Sequence, residues 1–139
     1  MTQVTIKNEG AFENTVRTQI NANFDEIYAA VISSLFITDS GSVAAAGSNQ
    51  GTAASLAYTL NNVTAADGTK GVILPTATTG TVILVYNSVA TNGLPIYPAT
   101  SGTINGGSAN AAITIEGKTL AILVATDTTN WAAIFTADT

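Results

Sequence analysis

The sequence predicts a mainly β protein, an antiparallel β-sandwich or barrel-like domain preceded by one N-terminal α-helix. Three observations carry that prediction. Short runs of β-branched and apolar residues recur through the second half of the chain, Asp-Gly and Asn-Gly pairs punctuate them, and a single early stretch spaces its apolar residues as a helix does.

Residues 1–13 read as an N-terminal arm, in which Val4 and Ile6 alternate with Thr5 and Lys7 at the two-residue period of a half-buried strand. Gly10 ends that pattern. Residues 14–37 read as a helix, with Asn14 or Thr15 available to cap the first free N–H groups. Val16, Ile20, Phe24, Ile27, Val31 and Leu35 recur at spacings of 4, 4, 3, 4 and 4, which places them on one stripe. The stripe has two burial sites open to it: the chain's own β domain, or copies of itself around a symmetry axis. Asn23 borders the stripe, where its amide either bonds symmetry mates and sets the register or faces water.

Residues 38–54 (TDSGSVAAAGSNQGTAA), rich in Gly, Ser and Ala, read as a linker. The β domain then occupies residues 55–139. Its expected strands are Leu56 to Leu60, Val72 to Leu74, Val82 to Tyr86, Leu94 to Tyr97, Ala112 to Ile115, Ala121 to Ala125 and Trp131 to Phe135. Asp67-Gly68, Asn92-Gly93 and Asn105-Gly106 mark tight turns, because these pairs tolerate positive φ. No internal repeat of fixed period is evident.

From Gly71 to Ile115 the chain runs 45 residues without Asp, Glu, Lys, Arg, His or Cys. Acid–base catalysis, metal ligation and phosphate binding draw on those groups, so the run argues against an enzyme and against a metal or other cofactor. A surface of Thr, Ser and Asn stays neutral, so its stability is expected to be nearly independent of pH and salt. Ala and Thr occur 23 times each among 139 residues. Small side chains release little free energy on burial, at about 25 cal/mol per Å², and a thin core of this kind favours oligomerisation. The net charge of −5 opposes binding to nucleic acid or anionic lipid. No run of 18 apolar residues is present to span a membrane, and Met1 to Gly10 has no apolar signal-peptide core, so assembly in a cytoplasm is expected.

The remaining motifs have plain readings. Asp25 and Glu26 are adjacent on the helix and diverge by about 100°, so they do not converge on one bond. Asp127 and Asn130 flank a hairpin turn, and Asn105-Gly106-Gly107 is a tight turn rather than a phosphate cradle, having neither a following helix nor a nearby Lys. Trp131, Tyr58, Tyr86 and Tyr97 either pack in the core or form an exposed aromatic platform for a sugar.

Two stretches carry a resemblance. Asn14-Thr15-Val16-Arg17-Thr18-Gln19-Ile20-Asn21-Ala22-Asn23-Phe24-Asp25-Glu26-Ile27-Tyr28 resembles the N-terminal helix of many tailed-phage virion proteins. Gly71-Val72-Ile73-Leu74-Pro75, Val85-Tyr86-Asn87, Leu94-Pro95-Ile96-Tyr97-Pro98, Ile104-Asn105-Gly106 and Trp131 resemble the β domain of phage head-decoration (cement) proteins and fibre modules. The resemblance implies a homotrimer whose helices meet near the threefold axis through Val16, Ile20, Asn23, Phe24, Ile27 and Val31. It implies the major capsid protein as partner and the outer surface of the virion head as location, after synthesis in the host cytoplasm. The arm at Val4 and Ile6 is the expected capsid contact, since an extended segment adds a strand to another sheet edge. The alternative it leaves open is a head or tail fibre module that binds a host-surface carbohydrate.

Overall fold

The structure is a computed structural model that describes residues 18–27 and 39–135. The chain divides into two units, Met1–Thr38 and Asp39–Thr139. In the first unit residues 18–27 are helical, inside the stretch whose apolar spacing predicts a helix. Val16 and Val31 of the stripe, and Val4 and Ile6 of the arm, lie outside the described residues.

The second unit is mainly β. Its described residues form β1 (Ser40–Ala44), β2 (Ala54–Ser55), β3 (Leu60–Thr64), β4 (Val72–Ile73), β5 (Val82–Asn87), β6 (Leu94–Tyr97), β7 (Thr103–Ile104), β8 (Ile113–Ile115), β9 (Leu120–Ala125) and β10 (Asn130–Phe135). These make two sheets, of order β1-β3-β5-β9-β10-β7 and β2-β4-β6-β8. The arrangement is a β-solenoid, which corrects the expected antiparallel sandwich or barrel. β1, β3 and β5 stack in parallel in one sheet, while β2, β4 and β6 stack in parallel in the other. The chain therefore winds between the sheets through three coils before β8, β9 and β10 add antiparallel strands. The coil offset is 20 residues from Ser40 to its partner Leu60 but 24 from Leu60 to Leu84, and 18 from Ala54 to Val72. Coils of unequal length leave no fixed period in the sequence.

β1 lies within the stretch whose composition suggests a linker, so residues 38–54 are not a simple connection. Small side chains suffice there because β1 is an edge strand, held by five residue pairs with β3. The Tyr58 ring packs over Gly41, where a Cβ would stand 2.2 Å from it and the exposed ring would have to move aside. The expected strand Leu56 to Leu60 also shifts, to Leu60–Thr64, because the buried Asn61 amide is satisfied by the chain itself. Its Nδ2 donates to Tyr58 O at 2.6 Å and Leu84 O at 3.3 Å, and its Oδ1 accepts from Tyr58 N at 3.2 Å.

The inward faces of both sheets share one apolar cluster. Val63, Val85, Leu123 and Trp131 come from the six-stranded sheet, and Val72, Leu94, Ile96 and Ile115 from the four-stranded one. Each such side chain contributes about 1.5–3 kcal/mol on burial. Asn105 and Gly106 adopt φ of 52° and 69°, and the Gly107 N–H donates to Ile104 O at 3.0 Å, which makes this the tight turn that Asn-Gly predicts.

Two turns are closed by a carboxylate. Asp127 closes the β9–β10 hairpin, its carboxylate accepting from Asn130 Nδ2 at 2.6 Å and from the N–H groups of Thr129 at 2.7 Å and Asn130 at 2.8 Å. These donors, the Asn130 amide first, lower its pKa from 3.8 to about 2. Asp67 accepts from the N–H groups of Lys70 and Thr69 in the same way, and the Lys70 N–H, followed by its side chain, holds the carboxyl well below the usual range. A folded pKa below the unfolded one stabilises the protein above the unfolded value, and that contribution is lost as pH falls toward the folded value. The melting temperature is therefore expected to hold steady down to about pH 5 and to fall between about pH 4 and 2. Asp127→Asn should flatten part of that slope in circular-dichroism melts; an unchanged slope would remove this turn as its source.

Candidate functional site

The helix at 18–27 presents Ile20, Phe24 and Ile27 on one face at spacings of 4 and 3. All three are exposed, Phe24 at 66% and Ile27 at 59%. Asn23 beside them is exposed as well. A ring of Phe size left in water gives up roughly 1.5–3 kcal/mol of available burial.

A second uncovered apolar surface lies on the six-stranded sheet, on the side away from its core. Successive residues of a strand point to opposite faces, so the partners Leu60, Leu84, Ile122 and Ile134 form one row across β3, β5, β9 and β10. A neighbouring row holds Val82, Val124 and Ala132, and another holds Asn62, Tyr86 and Leu120. Ile134 is 69% exposed, Val82 39% and Val124 36%. β1, β3, β5, β9 and β10 contain no charged residue. A sheet with one solvated face alternates apolar with polar residues, whereas Val82–Tyr86, Ala121–Val124 and Trp131–Phe135 are apolar on both faces. That absence of alternation is the sequence signal by which this face was legible, and a reading that treats the runs only as strands passes over it.

Among the described residues no three of His, Cys, Asp and Glu come together as a metal site. A groove of about 410 Å³ between the ends of β2 and β4 is lined by groups such as Ser55, Leu74, Thr76 and Thr100, none of them ionisable. Lys70 pairs with Asp67 at 2.9 Å on the surface, a contact worth little in water. The aromatic residues are not gathered: Trp131 is in the core, Tyr86 sits in the outer face of the six-stranded sheet, and Tyr97 belongs to the four-stranded sheet and donates to Ser48 O at 3.3 Å. Tyr58 is exposed and lies over Gly41.

Comparison with protein-family models, with curated proteins and with solved structures finds no match to this chain.

Proposed function

We propose that this chain is a structural virion protein, a homotrimeric head-decoration (cement) protein that binds the outside of a phage capsid and stabilises the shell. The observation that carries the reading is the exposed stripe Ile20, Phe24 and Ile27 on the helix, a surface suited to meeting its own copies. The resemblance of the helix and of the β motifs to phage virion proteins supplies the particular assembly. A body whose strands lack charge suits a rigid part of such an assembly, and no step of bond chemistry is assigned to it. Stabilisation follows from linkage: a protein that binds the assembled shell more tightly than the loosened one shifts the balance toward the intact state. The sugar-binding fibre reading is weaker, because Trp131 is 2% exposed and takes no part in an aromatic platform.

Sedimentation of the purified chain tests the trimer, and melting of virions stripped of the protein tests the stabilising role. Three chains per particle and a lower shell melting temperature are expected. A stable monomer, or stripped heads of unchanged heat and salt resistance, would overturn the proposal. Phe24→Ala should leave the melting of the β unit unchanged while weakening self-association by about 10-fold or more for each ring lost from the contact.

A further inference from the structure

We infer that the outer face of the six-stranded sheet is a second contact between copies of this chain, one that works together with the helical stripe. The inference rests on the reading that the chain assembles with itself, and adds which surface of the β unit takes part.

The row Leu84, Ile122 and Ile134, flanked by Val82 and Val124, makes an apolar face on β5, β9 and β10, whose central runs are apolar on both sides, and Leu60 of β3 extends the row at one end. Strands of that pattern are found covered on both faces. Charge then selects the occupant. The chain carries −5, so identical copies repel wherever their acidic groups approach, and they meet at least cost where no charge stands. The strands of this face carry none. A foreign partner is usually specified by Arg, Trp and charged rim groups, and this face offers one tyrosine, Tyr86, and no cation.

Size points the same way. Four strands about 4.8 Å apart and three rows about 6.7 Å apart span roughly 300–400 Å², less than the roughly 800 Å² that each partner contributes to a stable free-standing complex. The face therefore suits a contact made by copies that a second surface already holds together, and the exposed stripe of the helix is such a surface.

The chain has no cysteine, so one introduced thiol is a unique reporter. Ile134→Cys is a mild change, since the side chain is 69% exposed and its loss leaves the core intact. The thiol is expected to react with a maleimide about 10-fold more slowly at concentrations where copies associate than after dilution to monomer. Ile134→Glu should weaken association about 100-fold, because it buries an unpaired charge in the contact. A Thr114→Glu control, an exposed site on the four-stranded sheet, should leave association unchanged. If the protein associates but the thiol reacts equally fast at all concentrations, the inference is overturned while self-assembly stands. Protection that persists on dilution also overturns it, in favour of cover by the chain's own helical stripe. A protein that sediments as a monomer at every concentration overturns both.

Discussion

Replacing Trp131 with alanine is expected to lower the free energy of unfolding by about 3–5 kcal/mol, a large share of the roughly 5–15 kcal/mol that holds an ordinary domain together. Trp131 is 2% exposed and sits on β10 between Ala125 of β9 and Ile104 of β7. Six of the eighteen buried hydrophobic residues described are alanines, among them Ala121, Ala125 and Ala133 on the same sheet. Such short side chains have no reach with which to fill the space an indole leaves, so most of the cavity would persist. Trp131→Phe is a sharper comparison. The indole Nε1–H is buried and has no acceptor among the described residues, and removing an unsatisfied donor recovers about 1–3 kcal/mol. That gain offsets the smaller cavity a phenyl ring leaves, so the Phe variant should fall within about 1.5 kcal/mol of the parent. Urea unfolding measures both. An alanine variant that loses less than about 1 kcal/mol would show that the indole does not organise this core.

How far the sequence reveals this fold depends on the residues involved. Val82–Tyr86, Leu94–Tyr97, Ala121–Ala125 and Trp131–Phe135 are legible as strands because β-branched and apolar residues run together between turn pairs. β1 (SGSVA) and β3 (LNNVT) are not, since neither has the composition of a strand. Their stability comes from neighbours: a parallel ladder for β1, and for Asn61 the carbonyls of Tyr58 and Leu84. The winding is less legible still. Parallel pairing joins residues 18 to 27 apart through connections of unequal length, and local pattern carries no trace of such partners. For the candidate contact surfaces, the helical stripe at Ile20, Phe24 and Ile27 follows directly from spacing. The outer face of the sheet requires one more step, which is to ask why an apolar strand lacks polar residues at every second position.

Asn87→Asp is expected to produce a stability loss that grows with pH, opposite in sign to the acid sensitivity set by Asp127 and Asp67. The Asn87 side chain is fully buried, and its Nδ2 donates to Asn92 O at 2.8 Å and to Glu116 O at 3.0 Å while its Oδ1 accepts from Val89 N at 3.2 Å. It clamps the β5–β6 loop to the connection between β8 and β9. A carboxylate in its place would keep the Val89 contact but turn an acceptor toward two carbonyl oxygens, so burial and repulsion would both favour the protonated form. Its folded pKa would rise above the unfolded value of about 3.9. Below that value both states are protonated, and the acid can still donate one hydrogen bond. Above it the unfolded chain ionises first, and stability falls by about 1.4 kcal/mol per pH unit until the folded pKa is reached. The variant should therefore lie close to the parent near pH 4 and several kcal/mol below it at pH 7. Asn87→Ala, which titrates nothing, should show a deficit that is constant over the same range. Equal deficits at both pH values for the Asp variant would mean that water reaches the clamp. Because β5 and β9 supply Leu84, Tyr86, Leu120 and Ile122 to the outer face, loosening this clamp at pH 7 should also weaken self-association, and the two losses should titrate together.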